Sequence, residues 1–245
     1  MARKGRVAAI RRVILWDVDG TLMSAGPAGR DAFAEAVSDV LGRAADQHDV
    51  RMSGKTDPQI ALEILAALAV PEGEARTHLP GVLQALERRL DGATERIRAG
   101  GKVHPGVEAV LSRMSEMPRV VQTVLTGNLE PNARVKLGAF GLGRWLDLDV
   151  AAYGSDDHDR TQLVPIAMEK VQRRYGTALE PRRAWVVGDT PLDLACARAG
   201  GTRCLLVGTG RYSFDDLRGL GADVVLPDLS DIDRVVEVLA GDRSD

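Results

Sequence analysis

The chain has 245 residues, a length that suits one large domain or a core domain with a smaller one inserted. Hydrophobic residues make up 44% and charged residues 27%, ordinary values for a globular protein with a sizeable core. The formal net charge of −3 gives no basic footprint for nucleic acid. The apolar run after the basic residues 1–12 breaks at Asp17, too soon for a signal segment or a membrane span. We therefore expect no nucleic-acid or membrane partner.

The chain contains two cysteines, Cys196 and Cys204. They do not form a C-x-x-C pair, and no histidine lies near them in sequence to complete a zinc site. Both lie in apolar segments. We therefore expect reduced thiols in the core and a cytoplasmic location.

The first predicted element is a buried strand, RRVILW at residues 11–16, which is continuous, apolar and ended by turn residues. The region after it is different, because its apolar residues recur at helical spacing with polar faces between them. Predicted helices there span 28–42, 57–70 and 81–100. Residues 23–102 therefore form a predicted all-helical insert, which Gly100 and Gly101 end.

From residue 103 onward, predicted helices and strands alternate. The predicted strands span 119–127, 146–154, 182–189, 202–208 and 222–227. The predicted helices span 106–117, 130–142, 163–176, 191–200, 214–221 and 229–241. Strands separated by helices of this length favour βαβ units, so the predicted fold class is α/β with a doubly wound parallel sheet.

Polar groups follow three of the predicted strands at the point where each strand ends. The groups are Asp17 and Asp19, then Thr126, Gly127 and Asn128, then Asp189 and Asp193. Arg160, near the start of a later helix, adds a cation. Because the carboxyl ends of parallel strands meet at one edge of the sheet, these groups are expected together there. Buried unpaired carboxylates are costly, so they indicate a cation, a proton transfer or a phosphoryl group.

The chain resembles the haloacid dehalogenase-like (HAD) hydrolases along essentially its whole length. DVDGT at 17–21, LTGN at 125–128 and VVGDTPLD at 186–193 are similar to three of the family's four signatures, in the family's order. The resemblance implies a Rossmann-like core at 1–22 and 103–245, with an α-helical cap domain inserted at 23–102. The third signature, usually a lysine, is the departure, because this chain offers Arg160.

The resemblance also implies roles for the acids. Asp17 would be the nucleophile that forms an aspartyl-phosphate, and Asp19 would protonate the leaving oxygen and then activate water. A Mg²⁺ ion would be held by the side chains of Asp17 and Asp189 and by the backbone carbonyl of Asp19. Asp193 would bind the ion or orient one of its waters. Its alternative is a first-turn acid favoured by the helix dipole.

Phosphate binding is implied for Thr126, Gly127, Asn128 and Arg160. Asn128 has an alternative as the cap of the next helix. Arg160 has an alternative as a solvated surface charge beside neighbouring aspartates. The sequence offers no adequate cation beyond Arg160 to balance the acids, which favours Mg²⁺ as the remaining positive charge.

In the cap, RMSGKTDPQI at 51–60 is a polar loop before a helix. In helical-capped relatives the equivalent loop reaches into the active site, so Arg51 and Lys55 would contact an anionic part of the substrate. The alternative is a solvated loop in which Asp57 caps the helix.

The leading functional expectation is a Mg²⁺-dependent phosphatase that acts on a small phosphorylated metabolite, as phosphoglycolate phosphatases do, in a monomer or homodimer. A phosphoglucomutase-like phosphotransferase keeps both acids, so DVDGT leaves it open. Asp19 argues against a dehalogenase and a phosphonoacetaldehyde-type hydrolase. A non-catalytic binding module would be expected to have lost the nucleophile or the metal acids, and both are present.

Overall fold

The computed structural model describes residues 9–46 and 48–241. Its main sheet has five parallel strands in the order β4-β1-β5-β6-β7, and two shorter strands, β2 and β3, pair with each other. The strands are β1 Arg12–Trp16, β2 Met23–Ser24, β3 Lys102–Val103, β4 Val120–Val124, β5 Ala184–Gly188, β6 Arg203–Val207 and β7 Val224–Leu226. The predicted doubly wound parallel sheet is confirmed.

Helices surround this sheet and fill the insert after β2. They are α1 Ala28–Leu41, α2 Asp57–Ala67, α3 Glu72–Asp91, α4 Thr94–Gly100, α5 Val107–Ser115, α6 Glu130–Ala139, α7 Leu163–Tyr175, α8 Pro191–Ala199, α9 Phe214–Leu217 and α10 Ile232–Ala240. None of the helices among residues 9–46 and 48–241 is both long enough and apolar enough to span a bilayer.

Strand β1 shows why the sheet needs helices on both sides. All five of its residues are buried. Ile14 and Trp16 belong to one apolar cluster, whereas Val13 and Leu15 belong to another. Side chains of alternate strand residues point to opposite faces, so both faces of the sheet are covered. This central position delivers the end of β1 to the middle of the sheet edge.

The insert leaves and rejoins the core through β2 and β3. These strands pair antiparallel, with Met23 opposite Val103 and Ser24 opposite Lys102. Helices α1 to α4 lie between them in the chain. The division into a core at 1–22 and 103–245 and a cap at 23–102 remains a prediction, and residues 1–8 and 242–245 of that core lie outside the described residues.

Two predicted elements are wrong. Residues 146–154 do not form a strand, because the Asp147 carboxylate accepts a hydrogen bond from the Asp149 N–H (3.1 Å) and opens a 3₁₀ turn at Leu148–Val150. Only an isolated bridge, Leu125 to Ala152, remains. The predicted helix at 81–100 begins instead at Glu72 and is split into α3 and α4.

Candidate active site

The loop after β1 places its first acid in the interior. Asp17 is buried at the end of the strand, and the chain turns at Gly20, whose φ is +89°. A Cβ at Gly20 would lie 2.5 Å from Oδ2 of Asp189, so only glycine lets the two segments meet. Thr21 donates to Oδ1 of Asp189 at 3.2 Å. This turn therefore brings the ends of β1 and β5 together.

Three of the predicted acids form one buried cluster. Ligand oxygens of Asp17, Asp189 and Asp193 all lie within 4.8 Å of one another. Burial, together with the neighbouring acid charges, raises the pKa of Asp17 to about 7 and that of Asp189 to about 9. Full ionisation of the cluster is therefore unfavourable unless a further cation is added.

Arg160 supplies the positive charge beside this cluster. Its Nη2 lies 3.0 Å from Oδ1 of Asp17 and 2.5 Å from Oδ1 of Asp193. Burial acts to lower the pKa of the guanidinium, but Asp193 and Asp17 outweigh it and hold the pKa above its usual value. The residue is 7% exposed, so the surface-charge alternative is wrong.

Asp193 is both a helix-start acid and a partner of the site. Its Oδ2 accepts from the N–H (3.0 Å) and the hydroxyl (2.7 Å) of Thr190, completing a capping box at the start of α8. Its Oδ1 is the oxygen that Arg160 contacts. Asp193 is thus the first-turn acid that was its alternative, and its contact with the site is made through Arg160. Its role as a metal ligand stays a prediction, because both of its oxygens already have partners.

Asp19 turns away from this cluster to a second basic group. Its Oδ2 accepts from Nζ of Lys136 at 2.6 Å and from Nδ2 of Asn128 at 2.8 Å. Nζ of Lys136 also donates to Oδ1 of Asn128 at 2.6 Å. Burial acts to lower the pKa of Lys136, but Asp19 and Asp57 outweigh it and raise the pKa.

Two sequence-based expectations are corrected here. Arg160 is not the only cation balancing the acids, because Lys136 pairs with Asp19. Asn128 does not cap α6, because the cap position is Leu129 and the Asn128 amide contacts Asp19 and Thr126 instead. Lys136 was missed because a lysine in mid-helix usually faces solvent. The available signal was its place on a face with Asn132, Ala133 and Leu137, all of them buried.

The cap loop is seated directly on the core. The N–H of Asp57 donates to the carbonyl oxygen of Gly127 at 2.7 Å, and Nη1 of Arg160 donates to that of Gly54 at 3.0 Å. A Cβ at Gly127 would overlap the carbonyl oxygen of Lys55. Gly127 thus permits this close approach of cap and core.

Asp57 does not cap its own helix, so that alternative is wrong. Thr56 is the cap of α2, and its hydroxyl accepts from the N–H of Gln59. The Asp57 carboxylate instead accepts from the N–H of Leu129 (2.8 Å) and from Nδ2 of Asn132 (3.0 Å), at the start of α6. Asp57 therefore joins the cap to the helix that carries Lys136.

A cleft of about 980 Å³ lies between the cap loop and the sheet edge. Every predicted site residue except Asp193 lines it: Asp17, Asp19, Arg51, Lys55, Thr126, Gly127, Asn128, Arg160 and Asp189. Arg51 is exposed, whereas the charge of Lys55 is already paired with Glu63. Further basic residues of the wall are Arg30, Lys102 and Arg211.

The family comparison agrees with this geometry. A model of the haloacid dehalogenase-like hydrolases matches residues 11–201. The chain belongs to this hydrolase family. The resemblance read from the signatures is therefore confirmed, and the HAD match includes the ends of β1, β4 and β5.

Individual relatives of this HAD hydrolase are more distant. A phosphoglycolate phosphatase of Rhodospirillum rubrum is 27% identical over 223 residues, which are 90% of this chain and 89% of that protein. The structure of a predicted phosphatase from Clostridium acetobutylicum superposes with a TM-score of 0.71 at 16% identity, covering 94% of this chain and all of the other. A putative β-phosphoglucomutase from Bacteroides vulgatus gives a TM-score of 0.63 at 17% identity, covering 96% and 90%. The two structures share the fold.

The HAD family generally uses a divalent metal, and the acid cluster fits one. Three buried carboxylates face one guanidinium, which leaves negative charge uncompensated. Carboxylate oxygens are the ligands that hard divalent cations prefer. Asp17 and Asp189 have oxygens to offer such an ion, whereas both oxygens of Asp193 are engaged by Arg160 and Thr190.

Proposed function

We propose that this HAD hydrolase is a Mg²⁺-dependent phosphatase that cleaves a small phosphorylated metabolite through an aspartyl-phosphate on Asp17. One observation carries the proposal: the two acids of DVDGT have different surroundings. Asp17 lies in the buried cluster with Asp189 and Arg160, whereas Asp19 lies with Lys136 and is partly exposed to the cleft. A nucleophile and a proton donor require such a division of environments.

In the first step, an Asp17 oxygen attacks phosphorus, and the bond from phosphorus to the ester oxygen breaks. The ester oxygen keeps the electron pair and receives a proton from Asp19. In the second step, Asp19 takes a proton from water, and the resulting hydroxide attacks phosphorus. Phosphate leaves, and the Asp17 carboxylate is regenerated.

Other residues would bind the phosphoryl group. Arg160 lines the cleft beside Asp17, so its guanidinium would hold a phosphate oxygen there. Thr126, Gly127 and Asn128 line the cleft after β4 and would hold the remaining oxygens. Mg²⁺, held by Asp17, Asp189 and the backbone carbonyl of Asp19, would neutralise charge developing on the phosphoryl group.

The wall of the cleft supports a substrate with a second anionic group. Four basic residues line it: Arg30 and Arg51 in the insert, Lys102 at its base, and Arg211 in the loop after β6. Lys55 would contribute less, since Glu63 already pairs with it. Phosphoglycolate, the substrate in the name of the Rhodospirillum rubrum relative, has such a group, a carboxylate.

The test is a panel of phosphate monoesters that includes phosphoglycolate and p-nitrophenyl phosphate, assayed with Mg²⁺ for release of inorganic phosphate. Asp17→Asn should lower turnover to below about one-thousandth of the parent, as loss of a nucleophile does, without changing the fold. Rapid acid quenching should leave one phosphoryl group on the peptide that contains Asp17. Full activity of Asp17→Asn would contradict the proposal, and transfer of phosphate to a sugar phosphate, in place of release, would identify a phosphotransferase.

A further inference from the structure

Lys136 is the buried charge that the proposed reaction leaves without a role. It lies in α6, is 6% exposed, and its Nζ touches two groups of the site, Asp19 and Asn128. A lysine ammonium loses several hydrogen bonds to water when it is buried, so a fold keeps one inside only where partners replace them. Both partners here belong to the reaction side of the cleft.

The contacts are made to one oxygen of Asp19 only. Lys136 and Asn128 both donate to Oδ2, and among the described residues no hydrogen bond reaches Oδ1. An oxygen that accepts from an ammonium and an amide cannot at the same time present a proton to either of them. The proton of an Asp19 carboxylic acid therefore belongs on Oδ1, the oxygen left for the cleft.

Asn128 makes this arrangement rigid. Its Oδ1 accepts from Lys136, while its Nδ2 donates both to Asp19 and to the Thr126 hydroxyl. The three side chains Asp19, Asn128 and Lys136 thus form a closed ring of hydrogen bonds. Rotation of the Asp19 carboxylate would break two of them.

We propose that Lys136 is a positioning residue of the hydrolysis: with Asn128 it fixes Asp19 so that Oδ1 delivers the proton to the leaving oxygen. This inference rests on the proposed function. It assigns Lys136 to the proton transfer and not to the phosphoryl group. In the step itself, the O–H bond of Asp19 breaks, its electron pair stays on Oδ1, and a new O–H bond forms on the departing alkoxide.

The leaving group separates this role from a structural one. p-Nitrophenolate departs readily without a proton, whereas the alkoxide of benzyl phosphate does not. Values of kcat/KM for p-nitrophenyl phosphate and benzyl phosphate, two esters of similar shape, report only the step in which Asp17 is phosphorylated. Lys136→Met should lower kcat/KM for benzyl phosphate about 100-fold, the lower range for general acid catalysis, and that for p-nitrophenyl phosphate less than about 5-fold.

A matched control and a second variant make the result unambiguous. Lys170→Met removes a half-buried lysine that pairs with Asp156 away from the cleft, and it should change neither value. Asp19→Asn should show the same contrast between the esters. Asp19→Asn also removes one of the two acid charges that Lys136 balances. If Lys136 acts through Asp19, adding Lys136→Met to Asp19→Asn should lower kcat/KM by less than about 2-fold more.

Equal losses for both esters, or a 10-fold effect of Lys136→Met that persists in the Asp19→Asn background, would overturn the inference while leaving the phosphatase proposal intact. If the parent enzyme cleaves no phosphate ester at all, the proposed function fails and the inference fails with it. If Lys136→Met does not fold, as judged by circular dichroism, the double variant with Asp19→Asn is compared with Asp19→Asn alone, and the same limit of about 2-fold applies.

Discussion

The two acids of DVDGT lie two residues apart, yet their surroundings differ. Asp17 shares one guanidinium with Asp193 and lies beside Asp189, and its pKa is raised. Asp19 has a lysine of its own and is partly open to the cleft. The first region lacks a balancing charge, and the second is already balanced. A divalent cation is therefore expected at the cluster of Asp17, Asp189 and Asp193, and not at the paired side chains of Asp19 and Lys136.

The difference follows from where each partner originates. Arg160 reaches Asp17 from the segment before α7, and Asp193 comes from the first turn of α8, the helix that follows β5. Lys136 and Asn128 reach Asp19 from α6 and the end of β4, the strand on the other side of β1 from β5. Because β1 is central in the sheet, one strand end can serve two separate environments.

The largest effect is expected from metal removal. If removing the metal leaves turnover unchanged, the contrast drawn between the surroundings of Asp17 and Asp19 is wrong. Exhaustive chelation should lower kcat at least about 1,000-fold, because the charge at Asp17 is then uncompensated. Added Mg²⁺ should restore it, as measured by phosphate release. The circular dichroism spectrum should not change. Undiminished turnover without metal would show that Arg160 suffices.

Substitutions at Arg160 test more directly whether the surroundings of Asp17 and Asp19 act separately. Arg160→Ala should cost about 2–4 kcal/mol of transition-state stabilisation in kcat/KM, as removal of a preorganised charge typically does. Since Arg160 lies on the Asp17 side, p-nitrophenyl and benzyl phosphate should suffer alike, unlike in Lys136→Met.

Arg160→Lys should recover part of the loss, because the charge returns but the planar fork does not. A kcat/KM for Arg160→Ala near the parent value would place the phosphate-binding cation elsewhere.

Without metal, the acid cluster should make the free energy of unfolding fall as pH rises. The raised pKa values of Asp17 (about 7) and Asp189 (about 9) compare with 3.8 for an unperturbed aspartate. The folded chain then binds more protons than the unfolded chain between pH 3.8 and about 9. The cluster's contribution to the free energy of unfolding is complete below pH 3.8 and is lost as pH rises through this window.

Asp189→Asn should remove part of that slope and raise the metal-free stability at pH 8 by about 1–4 kcal/mol. Urea unfolding at several pH values measures both quantities. Mg²⁺ should stabilise the parent but not the variant. The exposed Asp215→Asn is the control, and an unchanged slope in Asp189→Asn would contradict the assignment.

The smallest effect is expected for the link between the cap and the Lys136 side. Asp57→Ala leaves the N–H of Leu129 and the amide of Asn132 without their acceptor, which should lower the free energy of unfolding by about 1–3 kcal/mol. Asp57→Asn keeps an acceptor oxygen and should lose less. Urea midpoints that are the same for Asp57→Ala and the parent would show that this contact is not maintained in solution.

Much of the fold could be predicted from the sequence because the chain marks its own boundaries. Gly and Pro punctuate most elements, and β1 is apolar throughout, as a strand buried on both faces must be. The first half of helix α3 was missed because Pro80 and Gly81 resemble a helix boundary. Its buried residues Ala75 and Val82 fall on either side of Pro80, so packing against α1 outweighs the local preference.

The site was predictable where a residue follows a strand. Asp17, Asp189 and Thr126 each do, and topology alone brings them to one sheet edge. Lys136 was not predictable in this way, because its importance comes from the direction in which α6 presents one face.

The antiparallel pairing of β2 with β3 has a consequence for the tolerance of the fold to insertions. Ser24 and Lys102 are paired although roughly 80 residues separate them, so the segment between them is a closed loop. The entropy lost in closing a loop grows only with the logarithm of its length, about 0.6 kcal/mol for each doubling. Residues added within this segment, at a point that leaves its contacts with the core intact, should therefore change the stability of the five-stranded sheet little.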